Sequence, residues 1–200
     1  MIMKDLLNSY SKKKEEINRK LAEFRRERSD DELFEELAFC LLTPQSKAKS
    51  CWASIEKLKD KGLLFSNSNS IKPWLKCRFT ENKARYIEEA GGKINEVKRA
   101  IKKSSDEARE WLVKNIKGYG YKEASHFLRN IGILDFAILD RHILKNLKRY
   151  GVIDEVPKSL TPKKYLEIEK EMKEFSAAVG VSLAELDLLF WSEETGEIFK

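Results

Sequence analysis

The sequence predicts an all-α protein. Apolar residues recur at helical spacing along nearly the whole chain. No stretch combines alternating apolar and polar residues with the dipeptides of tight hairpins, the pattern that β-strands produce. Three serines, Ser29, Ser104 and Ser182, are each followed three residues later by glutamate, which is the capping-box spacing at a helix start. These observations predict nine or ten helices.

In the first half of the chain a charged helix is predicted over residues 9–28. Ser29 caps the next helix, which should end before Pro44. Pro44 is expected near the first turn of a third helix, because proline is tolerated there. The stretch "GLLFSNSNSIKP" is predicted to be an irregular loop, and a further helix follows from about Glu81.

In the second half, Ser104 begins a helix that leads into "IKGYG". A second helix is predicted from Tyr121 to Asn130. Asp140 is a natural N-cap for the following helix, and Thr161 and Ser182 cap the last two.

The size and charge of the chain limit its class. Its 200 residues suffice for one domain or for two small lobes that share a cleft. The formal net charge is +6, and the excess is local: between Leu112 and Tyr150 there are eight basic residues and three acidic ones, a charge of +5. A concentrated basic region favours a polyanionic partner such as nucleic acid.

Other features exclude several classes of protein. Cys40, Cys51 and Cys77 form neither a closely spaced metal pair nor a disulfide framework, so we expect reduced thiols in a cytoplasmic protein. No apolar run reaches about 18 residues, and no signal-peptide core is present at the N-terminus. Abundant Lys and Glu with a single glutamine, Gln45, are typical of a thermophile.

The "KGYGYK" stretch lies between two predicted helices, which is the arrangement of a helix-hairpin-helix motif. Gly118 and Gly120 permit a tight turn and close backbone approach, and N–H groups at the start of the second helix favour a DNA phosphate. A plain turn between two helices explains the glycines equally well. Lys122 is then either a phosphate-binding lysine or, if burial and the helix dipole disfavour its ammonium form, a nucleophile. Asp140 is either a cap alone or also a carboxylate that stabilises a cationic transition state.

The segment "IKGYGYKEASHFLRNIGILDFAILDRHI" resembles the signature of the helix-hairpin-helix DNA glycosylase superfamily, which includes endonuclease III and 8-oxoguanine DNA glycosylase. The hairpin glycines match, as do the lysine two residues after them and the aspartate 18 residues further on, which is followed by x-His. With "ELDLLFWSEETGEIFK", the chain most resembles the archaeal and Thermotoga-type (type 2) 8-oxoguanine glycosylase/lyases, over about three quarters of its length. The linker "GILDFAILD" departs from the Gly/Pro-rich pattern, since it has one glycine and no proline.

The resemblance implies a fold and a reaction. Residues 1–200 would form one glycosylase unit, with lobe A from 1–35 and 136–200, lobe B from 36–135, and the active-site cleft between them. Lys122 would attack C1′ of a flipped-out nucleotide, expel 8-oxoguanine, form a Schiff base and nick the strand by β-elimination. Asp140 would stabilise the positive charge at the sugar and help to activate the lysine.

Further site residues are implied in the same way. Asp187 and Trp191, four residues apart on one helix face, would recognise and stack on the flipped base. His126 and Lys200 would also line the base pocket. For Trp191 and His126 the alternative is ordinary core packing. The residues expected to contact DNA are Gly118, Gly120, His142, Gln45, Arg78 and Phe79, with core packing as the alternative for Phe79.

The resemblance also implies the cofactors and partners. An iron–sulfur cluster is not expected, because the last cysteine is Cys77. No metal is essential, although backbone carbonyls of Lys114, Ile116 and Tyr119 would hold a monovalent cation. The expected partner is double-stranded DNA containing 8-oxoguanine, bound by a monomer without a membrane. Two alternatives stay open: an oxidised-pyrimidine glycosylase of the endonuclease III type, and a non-catalytic helix-hairpin-helix DNA-binding module.

Overall fold

A computed structural model describes residues 2–200, apart from the side chain of Ile2. Within this range the chain contains helices and no strands, so the predicted all-α class is confirmed. The α-helices are α1 (Ile2–Arg25), α2 (Asp30–Leu42), α3 (Ala48–Asp60), α4 (Ser68–Ile71), α5 (Thr80–Gly91), α6 (Ile94–Ala100), α7 (Ser105–Asn115), α8 (Tyr121–Asn130), α9 (Arg141–Arg149), α10 (Pro162–Val179) and α11 (Leu183–Thr195). A single 3₁₀ turn, Lys72–Trp74, follows α4.

The predicted helix starts are confirmed where capping side chains define them. Ser29, Ser104 and Ser182 each accept a hydrogen bond from the backbone of the glutamate three residues later, and each glutamate side chain bonds back to the serine N–H. Thr161 caps α10 by accepting the N–H of Lys164. Such reciprocal bonds satisfy backbone donors that the first turn of a helix leaves without partners.

Three predictions for the first half of the chain are wrong. Helix α1 already begins at Ile2 and ends at Arg25. Helix α3 begins at Ala48, because the N–H of Ser46 donates to the carbonyl of Thr43 and closes a turn before the helix. The stretch predicted as an irregular loop contains α4, whose N-cap Asn67 accepts the N–H of Ser70.

The chain divides into two compact units. The terminal unit comprises the described residues before Glu27 together with Leu128–Lys200, and the central unit is Glu27–Phe127. The sequence predicted lobe boundaries after residues 35 and 135. The observed division instead falls after Arg26 and, within α8, after Phe127.

Each unit has its own core helix. In the central unit α2 packs against α3 and α5, and residues 33–42 of α2 are all buried. In the terminal unit α11 packs against α1, α9 and α10. Each large apolar side chain that these two helices bury contributes roughly 1.5–3 kcal/mol.

None of the helices in residues 2–200 has, by itself, both the length and the apolar composition to cross a membrane. Helices α10 and α11 meet those criteria only when taken together, and they are bent by 94° at the break between them.

Candidate functional site

The hairpin between α7 and α8 requires glycine at one of its two positions. Gly118 has a φ of 92°, in the left-handed region. A Cβ there would lie 2.6 Å from the ring of Tyr86 and 3.3 Å from Leu41, which is too close for any side chain. Between the two glycines, Tyr119 is buried and donates its hydroxyl to the carbonyl of Leu37 at 2.9 Å. The turn is therefore fixed against the core of the central unit.

The carboxylate of Glu123 joins the hairpin to Lys122, the predicted nucleophile. Its Oε2 accepts the N–H of Gly120 at 3.1 Å, and its Oε1 lies 2.9 Å from Lys122 Nζ. The side chain of Lys122 retains 28% of its exposure. The Gly120 N–H, expected to face a phosphate, is thus bonded to a carboxylate of the same helix. Sequence analysis missed Glu123, although Gly120 and Glu123 have the spacing of a capping box.

His126, one turn after Lys122, is buried in the central unit. It is 8% exposed, and its ring centroid lies 5.6 Å from that of Phe39 in an edge-to-face arrangement. This packing agrees with the core alternative for His126, and its predicted place in the base pocket stays a prediction.

Two of the predicted DNA-contacting residues have left-handed backbone conformations. Gln45 has a φ of 54° and lies exposed in the turn before α3, not at a helix start as predicted. Phe79 has a φ of 59°, precedes α5, and is 53% exposed. The core-packing alternative for Phe79 is therefore wrong. The exposed Arg78 places its guanidinium carbon 5.1 Å from the centroid of the Phe79 ring.

Asp140 is the N-cap of α9, as predicted. Its Oδ1 accepts the N–H groups of His142 and Ile143, each at 2.8 Å. Its Oδ2 accepts the indole N–H of Trp191 at 3.3 Å. Both oxygens thus have donors, and these three bonds fix the orientation of the carboxylate.

Trp191 and His142 lie beside this carboxylate in the terminal unit. The half-buried Trp191 has its ring centroid 6.3 Å from that of His142, at an interplanar angle of 74°. His142 Nδ1 lies 3.2 Å from a carboxylate oxygen of Glu194. Trp191 is accordingly held through its N–H as well as through packing, whereas the sequence suggested only stacking or core roles.

Asp187 forms a buried ion pair. Arg129 donates to its Oδ2 at 2.9 Å, and both side chains are more than nine-tenths buried. Burial raises the pKa of Asp187 to about 6, the carboxylate of Asp140 adds to this, and the Arg129 guanidinium opposes it. Arg129 was missed because it is 58 residues away in sequence, and no local pattern connects the two.

The remaining predictions concern Lys200 and the cation site at the hairpin. Lys200 is half-buried at the last position, and its pocket role stays a prediction. Of the carbonyls predicted to hold a cation, that of Ile116 accepts the N–H of Tyr119 at 3.0 Å and retains a second lone pair, while Lys114 is exposed. In residues 2–200 no three His, Cys, Asp or Glu side chains group as metal ligands do.

Known proteins resemble this chain over nearly its full length. The family described as "8-oxoguanine DNA glycosylase" matches residues 17–181. The "8-oxoguanine DNA glycosylase/AP lyase" of Fusobacterium nucleatum subsp. nucleatum is 48% identical over 175 residues, covering 82% of this chain and 81% of that protein.

Two solved structures share the fold. The crystal structure of the 8-oxoguanine DNA glycosylase of Thermotoga maritima has a TM-score of 0.89 at 33% identity, covering 99% of this chain and 98% of the other. The 8-oxoguanine glycosylase/lyase of Methanocaldococcus jannaschii, solved in complex with a 15mer DNA containing 8-oxoguanine, has a TM-score of 0.87 at 36% identity, covering 98% and 99%. Since the family match spans residues 17–181 and a relative 48% identical covers 82% of the chain, this chain belongs to the 8-oxoguanine DNA glycosylase family.

Proposed function

We propose that this protein excises 8-oxoguanine from double-stranded DNA through Lys122 and then nicks the strand as an AP lyase. The observation that carries the proposal is that a chain of this family presents a partly exposed lysine in the first turn of α8 and an oriented carboxylate at the start of α9. The basic region from Leu112 to Tyr150 supplies the sequence-independent attraction to DNA phosphates.

The first step is attack by the Lys122 amine on C1′ of the flipped-out nucleotide. The bond from C1′ to the base breaks, and the base leaves with the electron pair of that bond. An ammonium group has no lone pair, so a proton must leave Nζ beforehand. Glu123 Oε1, at 2.9 Å, is within reach of that proton. The C1′–O4′ bond then breaks as the Nζ lone pair forms the C=N bond, and a proton passes to O4′, so the sugar ring opens to a Schiff base. The Schiff base makes the C2′ proton acidic, and its removal expels the 3′ phosphate by β-elimination.

Asp140 would act on the charge that develops at the sugar. Its carboxylate is already oriented by His142, Ile143 and Trp191, so little reorganisation is needed when positive charge forms on the deoxyribose ring. Trp191 supplies an aromatic face for the displaced base, and a stacked base gains roughly 1–3 kcal/mol. Asp187 lies one helical turn before Trp191 on the same face of α11.

Borohydride trapping tests the nucleophile. Reduction of the Schiff base should give a covalent complex between the protein and a duplex containing 8-oxoguanine. Lys122→Gln should abolish the complex, because an amide cannot form an imine. Lys117→Gln is the matched control, since it removes an exposed lysine of the same hairpin and should still be trapped. A trapped complex that persists in Lys122→Gln would contradict the assignment.

A panel of lesions tests the substrate. We expect excision of 8-oxoguanine to exceed that of thymine glycol. Faster removal of thymine glycol would instead favour the endonuclease III type of activity. Salt-sensitive DNA binding without base release or strand cleavage would identify a non-catalytic DNA-binding module.

A further inference from the structure

Two surface turns of the central unit each contain a residue with a strained backbone. We define the Gln45 turn as residues 43–47 and the Phe79 turn as residues 75–79. Gln45 and Phe79 are the only non-glycine residues with positive φ in the part of the chain that the structure describes. A left-handed backbone is unfavourable for residues other than glycine, and it persists only where the surroundings enforce it.

A buried lysine lies beneath the Gln45 turn. Lys83, on α5, is 4% exposed. Its Nζ donates to the carbonyls of Leu42 and Pro44, both at 2.7 Å, and to Ser46 Oγ at 3.0 Å. An ammonium group has three donors, so all are used by backbone and side-chain groups at the two ends of this turn. Burial lowers the pKa of Lys83.

Ser46 connects the two turns. Its Oγ accepts the bond from Lys83 and also the backbone N–H of Arg78 at 3.0 Å, directly before Phe79. A second bond acts near the same point: the N–H of Lys76 donates to the buried Ser54 Oγ at 2.9 Å. Lys83 and Ser46 therefore form one hydrogen-bonded network that reaches the backbone of both turns.

We propose that Lys83 and Ser46 are positioning residues that hold Gln45 and Phe79 in the conformation that enters the DNA duplex. The inference rests on the proposed function, because it assigns a task to two exposed side chains that have no core role. Phe79 is 53% exposed and has a left-handed backbone, so burial in the free protein offsets little of the backbone strain. An aromatic ring inserted at a kinked base step gains stacking and supports the flipped state.

The rate of single-turnover excision tests whether Lys83 and Ser46 position these two turns. One duplex pairs 8-oxoguanine with cytosine, and a second places it opposite an abasic site, where no opposing base has to be separated or stacked. Ser46→Ala and Lys83→Met should slow excision from the paired duplex about tenfold, which corresponds to about 1.4 kcal/mol. The loss from the second duplex should be clearly smaller. Borohydride trapping on a preformed abasic site should change by less than about twofold, since base flipping is not required there.

The controls separate positioning from general destabilisation. Arg85→Met removes an exposed positive charge from the same helix and should leave both excision rates unchanged. Ser46→Thr keeps the hydroxyl and should restore the rate that Ser46→Ala loses. If thermal melting shows that Lys83→Met does not fold, the Ser46 pair decides. Equal losses on both duplexes and in trapping, or no loss, would overturn the inference, whereas a wild-type protein that is never trapped would overturn the proposed function instead.

Discussion

The terminal and central units hold their candidate site residues in different ways. In the terminal unit, Asp140 caps α9 and Asp187 lies on α11, and both are fixed by side chains or by N–H groups of a helix start. In the central unit, Gly118, Gln45 and Phe79 lie on turns with left-handed backbones. Hydrogen-bond and ion-pair partners thus orient Asp140 and Asp187, whereas backbone conformation orients Gly118, Gln45 and Phe79.

This difference has consequences for stability. A buried ion pair contributes little net stability, but removing one partner leaves a charge without compensation. A strained turn already costs energy, so when its supporting hydrogen bonds are lost the turn can relax to another conformation. The stability lost on breaking the ion pair of the terminal unit should therefore depend on pH. The stability lost on substituting the turns of the central unit should depend on the size of the new side chain.

The largest effect is expected from Arg129→Met in the terminal unit. Asp187 would lose the buried guanidinium that pairs with it, and the free energy of unfolding near neutral pH should fall by about 3–5 kcal/mol. Urea unfolding measures the change. Arg19→Met, an exposed arginine in the same unit, is the control and should stay within about 0.5 kcal/mol of the wild type.

The raised pKa of Asp187 determines how the effect of Arg129→Met on stability changes with pH. The folded-state pKa of Asp187, about 6, lies above its ordinary value of 3.8, so the folded protein holds this proton more tightly than the unfolded chain. Stability from this group therefore falls as the pH rises from about 4 through 6. Without Arg129 the folded-state pKa rises further, so Arg129→Met should cost little near pH 4 and most near pH 8. A cost that is independent of pH would show that the pair does not couple to titration.

The same contrast determines what the sequence could predict. Asp140 as a cap and the α8 boundaries follow from patterns within a few residues, and both are observed. The Lys83 contacts with Leu42 and Ser46 span 41 and 37 residues, so no local pattern encodes them. The positive φ angles of Gln45 and Phe79 could not be predicted either, because neither residue type prefers that conformation and the hydrogen bonds beside them join residues far apart in sequence.

Asp140→Asn separates the two roles of this residue. Asparagine caps a helix about as well as aspartate, so the free energy of unfolding should change by less than about 1 kcal/mol. The negative charge is lost, and the rate of base excision should fall about 10²–10³-fold if that charge stabilises the cationic transition state. Single-turnover kinetics and urea unfolding on the same preparation measure both. A fall in stability with an unchanged excision rate would leave Asp140 as a cap alone.

Gly118→Ala tests whether the hairpin of the central unit depends on its backbone conformation, and it has the smallest expected effect of these variants. A Cβ would meet the Tyr86 ring at 2.6 Å, in addition to the unfavourable φ of 92°, so the free energy of unfolding should fall by roughly 1–3 kcal/mol. Gly62→Ala is the matched control, because Gly62 has a φ of 64° but no atom within 4 Å of the added Cβ. Thermal melting of both variants isolates the contact with Tyr86, since the backbone penalty is common to both. Equal melting temperatures would mean that Tyr86 moves aside freely, and that the hairpin needs glycine only for its backbone angle and not for its close approach to α5.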